Sequence, residues 1–300
     1  DNCFVSDAPC LPSRASAWLG RFGIHTGIVN HGGINADPMQ EGHDRGFKQS
    51  GHKAGFCRVI EDSGMHTVSF SPFAERHSAW WFYQGFKEMV NTGKSGHERA
   101  DEIVPLALDW LDANKGRDNW FLHINIWDPH GPFDAPMEYG EPFGNQPGPD
   151  WITEDIIGHH HSLYGPHSAV TLNHLYPVDW WKHLPRYCIK EINNLEDYHK
   201  WNNGYDTGIW YADSWIGKVL DKLEEQGILD DTAIIVTSDH GENLGELGVY
   251  GDHQTADQIT CRIPYIIRWP RLTNGGRVDK AFHYKTDMSA TVLEMLGLKV

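Results

Sequence analysis

The sequence predicts an α/β fold with a mostly parallel central sheet and helices on both faces. Short apolar runs of strand length at 65–70, 120–127, 232–238 and 263–270 alternate with helical periodicity at 98–115, 197–226 and 286–296. Strands separated by helices of that length read as parallel βαβ units. Chemically dense stretches at 71–77, 128–133 and 239–242 directly follow three of those strands, where the loops of such folds build sites. With 300 residues, 40% of them apolar, and 13 Trp, the chain can also fill a large core.

Ser13 is a good N-cap residue, and Arg14, Ala15, Ala17, Trp18 and Leu19 after it read as a helix stopping near Gly20 to Gly23. Cys10 then stands just ahead of a helix N-terminus. Free amide donors favour an anion there, and the planar fork of Arg14 can hold an oxyanion. A thiol in such a field is a candidate reactive group, although a lone cysteine is more commonly buried and structural. Residues 27–33 are an apolar step ending in loop residues, and 34–57 are polar and Gly-rich. Residues 65–70 alternate as a strand does. In the helix over 98–115, Ile103, Val104, Ala107, Leu108 and Leu111 share a face, and Pro105 is tolerable only near its start. The strand at 120–127 runs into Asp128-Pro129-His130. Residues 131–195, rich in Pro, Gly, His and Trp, are too long for a plain connector and are expected to form an elaborated loop near the site. A long helix over 197–226 stops at Gly227, and 232–238 is a buried strand by composition. Pro264 suits the start of the strand in 263–270, and Thr286-Asp287 caps a last helix closed by Gly297.

A formal charge of −16 argues against nucleic acid or an anionic membrane surface as partner, because phosphate binding needs clustered Lys and Arg. Cys3, Cys10, Cys57, Cys188 and Cys261 lie far apart with no C-x-x-C pair, so isolated thiols are expected. No apolar run has transmembrane length, and no signal peptide opens the chain. The start at Asp1, without Met, leads us to expect a piece of a longer chain. The sequence does not fix the compartment; a periplasmic or secreted location is the expectation, with any signal peptide outside these residues. The absence of an N-x-S/T sequon disfavours a glycosylated lysosomal enzyme.

The string Cys10-x-Pro12-Ser13-Arg14, followed by an Ala- and Leu-containing helix and Gly20-Arg21, resembles the signature of the type I sulfatases, whose cysteine is oxidised to formylglycine. Ser238-Asp239-His240-Gly241-Glu242 resembles the second metal-binding motif of this alkaline phosphatase-like superfamily, although taken alone it reads more readily as a strand-end turn. The resemblance implies Asp239, His240 and Cys10 (as formylglycine) as ligands of one divalent metal, with further ligands upstream of residue 1. Ca2+ is the ion expected. His240, where calcium sulfatases often carry Asn, admits Mn2+, because imidazole suits it better.

Asp128-Pro129-His130-x-Pro132-Phe133 resembles the family's Pro-His-x-Pro turn, which implies that His130 contacts the ester and protonates the leaving oxygen. A histidine satisfied in a Pro-bounded turn is the plainer alternative. His77 lies where the family has Gly-Lys-x-His, implying a contact to the formylglycine hydroxyl. Glu75 replaces that lysine, which leaves Arg76 to meet the sulfate. Residues 251–258, leading into Arg262-Ile263-Pro264, place His253 at a substrate-binding lysine position, and 287–297 resembles the helix closing the main domain. The implied fold is the alkaline phosphatase-like three-layer sandwich. Residues 1–300 would be a sulfatase catalytic domain lacking its N-terminal Asp-Asp strand and its small C-terminal domain.

The function so implied is hydrolysis of a sulfate ester on a sulfated small molecule or carbohydrate, after maturation by a formylglycine-generating enzyme. Arg14 and the metal would stabilise charge on the transferring group, with His130 aiding departure and His77 the collapse of the sulfated intermediate. Two alternatives stay open: a phosphonate monoester or phosphodiester hydrolase, favoured by His240 and the missing lysine, and an inactive carbohydrate-binding relative. The histidines His159, His160, His161, His167 and His174 read first as a solvated loop, and could also line a substrate pocket or bind metal adventitiously. Trp80-Trp81 and Trp180-Trp181 could stack on sugars or belong to the core.

Overall fold

Strand β2 (His66–Phe70) organises the fold, with four of its five residues buried. It pairs in parallel with β3 (Glu88–Val90) on one side and, from His66↔Trp120 to Phe70↔Ile124, with β4 (Trp120–Ile124) on the other. The computed structural model describes residues 2–38, 55–71, 73–94, 96–172, 187–273 and 275–299. Successive strand residues point to opposite faces, and the packing follows. Trp120, Leu122 and Ile124, with Ile234, pack against Ile103, Val104, Ala107 and Leu111 of the Ala100–Ala113 helix and Leu223 of the Leu195–Glu225 helix. Phe121 and Ile235 pack on the other face, against Phe56, Ile60, Met288 and Val292 from the Phe56–Asp62 and Asp287–Met295 helices. Helices therefore cover both faces of the strands, as the α/β reading requires.

The pairing is mixed. Strand β5 (Ile234–Thr237) runs antiparallel to β9 (Tyr265–Arg268), and β1 (Cys3–Phe4) lies between β10 (His283–Tyr284, parallel) and β8 (Arg262–Ile263, antiparallel). Pro264 divides the apolar run at 263–270 into β8 and β9, since it has no N–H for a ladder; its carbonyl accepts from Thr237 Oγ1 at 2.9 Å. The buried strand read at 232–238 forms as β5, its four residues half-buried, with Ile234 and Ile235 packed against the core.

The first helix starts earlier than Ser13 suggests. It spans Cys10–Leu19 with Pro9 at the N-cap, so Cys10 is its first residue. Pro12 is tolerated because the first-turn N–H groups have no partner within a helix. Ser13 is buried inside the helix, and its hydroxyl donates to the Asp239 carbonyl rather than capping. Gly20, at φ 61°, ends the helix. Pro105 sits in the second turn of the Ala100–Ala113 helix, which continues past it. The Phe56–Asp62 helix lies at the end of a stretch that reads as polar and Gly-rich; residues 39–54 of that stretch lie outside the described residues. The 31-residue helix Leu195–Glu225 is capped by Asn194, whose Oδ1 accepts from Asp197 N at 2.8 Å.

Part of the elaborated region 131–195 lies among the described residues. It holds the helix Glu154–His160, and Phe133, Ile152, Ile157 and Leu172 share a buried cluster with Tyr198 and Trp201 of the long helix. His160 Nδ1 lies 2.7 Å from the Tyr250 hydroxyl in β7 (Tyr250–Asp252) and His161 meets the Ile192 carbonyl. His174, Trp180 and Trp181 lie outside the described residues. Trp81 is anchored through Nε1 to the Ala36 carbonyl, whereas Trp80 is 60% exposed. All five cysteines are free thiols. No helix among the described residues is long and apolar enough to cross a membrane.

Gly85 has φ +90°, and a Cβ there would lie 2.3 Å from Arg58 N and 2.4 Å from the Cys57 carbonyl carbon. Gly64, at φ +95°, faces open space. In urea unfolding, Gly85→Ala is expected to cost more than Gly64→Ala, by about 1–3 kcal/mol of backbone overpacking.

Candidate active site

Four side chains meet at the start of the first helix. Cys10 is 2% exposed, and its Sγ lies 3.1 Å from His240 Nε2 and 3.6 Å from His253 Nε2; with His130, the donor atoms of all four lie within 4.8 Å of one another. Each arrives by its own route. His130 follows β4, and His240 follows β5, both at the carboxyl ends of strands. His253 is set by the hairpin of β6 (Asn243–Leu244) and β7, whose register Asn243↔Asp252 brings the flanking Glu242 and His253 side by side. Asn243, fully buried, fixes that hairpin through Nδ2 to Thr255 Oγ1 at 2.7 Å and Thr260 Oγ1 at 2.9 Å.

The imidazoles share one orientation. Carbonyl oxygens only accept, so Nδ1 of His130 donates to Gly131 O at 2.9 Å and Nδ1 of His240 to Gly241 O at 2.7 Å. His253 Nδ1 lies 3.3 Å from Glu242 Oε2. Nε2 is therefore the nitrogen left for chemistry on each ring. The rings of His240 and His253 stack 4.0 Å apart at 7°, with His130 edge-on to both.

Charge follows the geometry. Burial works against ionising Cys10, but the charge of His240 and hydrogen bonds from His130, His240 and His253 outweigh it, leaving the thiol well below its ordinary range. Burial likewise opposes charge on His253, and the Glu242 carboxylate overrides it, pushing His253 up to about 11. The site thus favours a sulfur or oxygen anion facing imidazolium.

Arg14 holds the site to the sheet. Its Nε donates to Asp239 Oδ2 at 2.7 Å, Nη1 donates to Asn125 Oδ1, and the guanidinium lies 3.9 Å over Phe73. Despite burial, Arg14 and His240 keep the Asp239 carboxyl well below the usual carboxylate range. Lys285, 5% exposed, donates from Nζ to Ser238 O at 2.7 Å, and burial brings its pKa down to about 8.

Of the residues singled out by sequence, Cys10, His130, His240 and His253 converge, and Arg14 and Asp239 pair beside them. Arg76 reaches the cluster's rim: its guanidinium lies 4.6 Å from the ring centre of Trp127, which stacks 3.9 Å from His130. His77 is not in the cluster. It packs against His31 at 4.5 Å and Phe73 at 4.9 Å, with Nε2 buried and unpartnered. Sequence reasoning assigns no role to Asn125, Trp127, Glu242 or Lys285. Trp127 directly precedes one recognised motif and Glu242 closes another, a usable signal; Asn125 and Lys285 gain their positions only in three dimensions.

A family model described as Sulfatase matches residues 1–298. An N-acetylglucosamine-6-O-sulfatase of Bacteroides thetaiotaomicron is 24% identical, over 100% of this chain and 61% of its own length. A multifunctional alkaline phosphatase superfamily protein, PehA of Trinickia caryophylli, is 25% identical over 99% of this chain and 65% of its own. Human arylsulfatase K is 24% identical over 99% and 56%. The chain thus spans roughly three-fifths of the curated relatives it matches. Among solved structures, a protein in complex with its substrate D-glucosamine-2-N,6-O-disulfate superposes with TM-score 0.71 at 20% identity, covering 100% of this chain and 69% of that one. A phosphonate monoester hydrolase from Silicibacter pomeroyi gives 0.71 at 21% identity, covering 100% and 66%. These likenesses establish the alkaline phosphatase-like fold.

Burial, with His31 and Arg76 beside it, lowers the His77 pKa from 6.5 to about 4. The folded chain then binds fewer protons than the unfolded one in this window, so stability falls as pH drops from 6.5 toward 4. His77→Gln is expected to flatten that part of a stability-versus-pH curve, and NMR of the His77 ring should give a midpoint about 4.

Proposed function

Because this chain belongs to the sulfatase family, we propose that it serves to hydrolyse a sulfate ester, with residue 10 carried as formylglycine. The observation that carries this reading is a buried Cys10 at a helix start, faced by three imidazoles and flanked by Arg14. Formylglycine, once formed, supplies a hydrated aldehyde, one hydroxyl being the nucleophile and the other able to expel sulfate.

The chain's own residues supply the remainder. His240, at hydrogen-bond distance from the residue-10 side chain, takes up or holds its proton, while His253 donates to it. His253, made cationic by Glu242, offers positive charge to the sulfate where relatives are expected to use lysine. His130, with Nδ1 tied to Gly131, gives a proton from Nε2 to the leaving oxygen. Arg76, seated on Trp127 next to His130, can meet the outer sulfate oxygens. Arg14 positions Asp239, and His77 lies a layer behind as a neutral partner at working pH.

The family implies one divalent ion. The described residues alone are a poor set for calcium, which takes about six to eight oxygen ligands. Asp239 gives one oxygen to Arg14 and keeps Oδ1, 3.7 Å from His240 Nε2, Glu242 is held by His253, and the other donors are one sulfur and three imidazoles.

A sulfated carbohydrate is the substrate class supported by the relatives, one an N-acetylglucosamine-6-O-sulfatase, another solved with a glucosamine disulfate. In this reading the 131–195 region, which packs on β7 just before His253, borders the substrate opening. A second reading, phosphonate monoester or phosphodiester hydrolysis, is favoured by His240 beside Asp239 and by Glu75 at the lysine position.

Co-expression with a formylglycine-generating enzyme is expected to replace the Cys10 thiol by an aldehyde, seen in the mass of its peptide. An unmodified thiol, where a control sulfatase is converted, would count against the mechanism. The converted protein should turn over a sulfate ester faster than a phosphodiester; the opposite ranking selects the second reading. His130→Ala should lower kcat about 10²–10⁴-fold, most for alkyl or sugar esters and least for esters with good leaving groups. Sugar binding without turnover, indifferent to Cys10→Ala, would point to a carbohydrate-binding relative.

A further inference from the structure

The sulfur and imidazole donors gathered at this site form a four-membered set for a softer ion than calcium. We propose that, while Cys10 remains a thiol, the chain binds one Zn2+ through Cys10 Sγ and Nε2 of His130, His240 and His253.

The donor chemistry comes first. One thiolate and three neutral imidazoles make a four-coordinate set of the kind zinc takes, with ligand bonds of about 2.3 Å to sulfur and about 2.0–2.1 Å to nitrogen. Around a tetrahedral ion those bonds separate neighbouring donors by roughly 3.3–3.6 Å. Sγ already lies 3.1 Å and 3.6 Å from two of the nitrogens, and all four donors fall within 4.8 Å, so closing on an ion asks for side-chain adjustments of an ångström or so.

The outer contacts point the same way. A ligating histidine normally gives its other ring N–H to a carbonyl or carboxylate, which fixes the tautomer and sharpens the lone pair. All three rings do this, to Gly131 O, Gly241 O and Glu242. The site is largely shielded from water, with Cys10, His240 and His253 buried. On binding, the protons held between Cys10 Sγ and the Nε2 atoms of His240 and His253 pass to solvent as the Zn–S and Zn–N bonds form, so zinc binds more tightly as pH rises, and nothing is oxidised or reduced. Glu242 and the Gly131 and Gly241 carbonyls are positioning groups in this scheme.

Conversion of Cys10 removes the sulfur, so zinc would distinguish the unconverted chain from the converted one. The proposal does not rest on ester hydrolysis, and a failed sulfatase assay leaves it untouched.

The test uses the thiol form, expressed without a formylglycine-generating enzyme, stripped of metal, and titrated with Zn2+ against a chelating dye. One Zn2+ per chain is expected, with affinity at least tenfold lower in Cys10→Ser and about tenfold or more lower in Glu242→Gln. Substituting Co2+ in the unmutated chain, which needs no variant to fold, should give a thiolate-to-cobalt charge-transfer band and the strong visible bands of four-coordinate cobalt. A weak six-coordinate spectrum without the sulfur band would overturn the proposal. So would binding that survives Cys10→Ser and is lost instead with His159→Ala and His161→Ala, since it would then belong to the histidines at the end of the Glu154–His160 helix.

Discussion

Arg14 and Asp239, 225 positions apart, meet as a largely buried pair at 2.7 Å, and the rest of the site depends on that clamp. Arg14 lies one turn into the helix that opens with Cys10, and Asp239 ends the loop leaving β5. Joining them sets the distance from Cys10 to His240. The second arm of the guanidinium, on Asn125, brings in the end of β4 and with it the approach to His130. One planar cation thus registers three segments that share no local sequence. Losing one partner of such a pair typically costs about 3–5 kcal/mol, because the other charge is left buried and alone.

The fold was legible wherever local physics and tertiary packing agreed. The alternation at 66–70 became β2, and Gly20, Gly227 and Gly297, all at positive φ, end helices as expected. Legibility failed where a residue's nearest partner is distant in sequence. Ser13 has the chemistry of a cap, yet the Asp239 carbonyl takes its hydroxyl and Pro9 takes the cap position. The Phe56–Asp62 helix is held by Phe56, Cys57 and Ile60 against Met288, Val292 and Leu293, a contact no window around residue 56 contains.

The same distinction runs through the site. Cys10, His130, His240 and His253 could be picked out because each sits in a short motif, and the fold brings those motifs together. Glu242 carries no signal for its pairing with His253, since that pairing depends on the Asn243↔Asp252 register across the hairpin. Lys285 stands before the last helix like any surface lysine, and only β10 beside β1 turns it inward to Ser238. Net composition is misleading in a related way. A chain of formal charge −16 gathers Arg14, Arg76, His253 and Lys285 around one point, so attraction for an anion is local and short in range, within a protein whose overall field is repulsive to it.

The backbone contacts of the imidazoles have one more consequence, which concerns traffic rather than affinity. A histidine ring whose Nδ1–H is held by a carbonyl cannot turn over about its Cβ–Cγ bond without breaking that bond, and His130 and His240 are both held in this way. Each ring therefore has one usable face for a proton, toward residue 10, and no exit through the back. A proton taken up at Nε2 is not relayed through either ring, because the Nδ1 side already faces a carbonyl that only accepts; it leaves by the nitrogen at which it arrived.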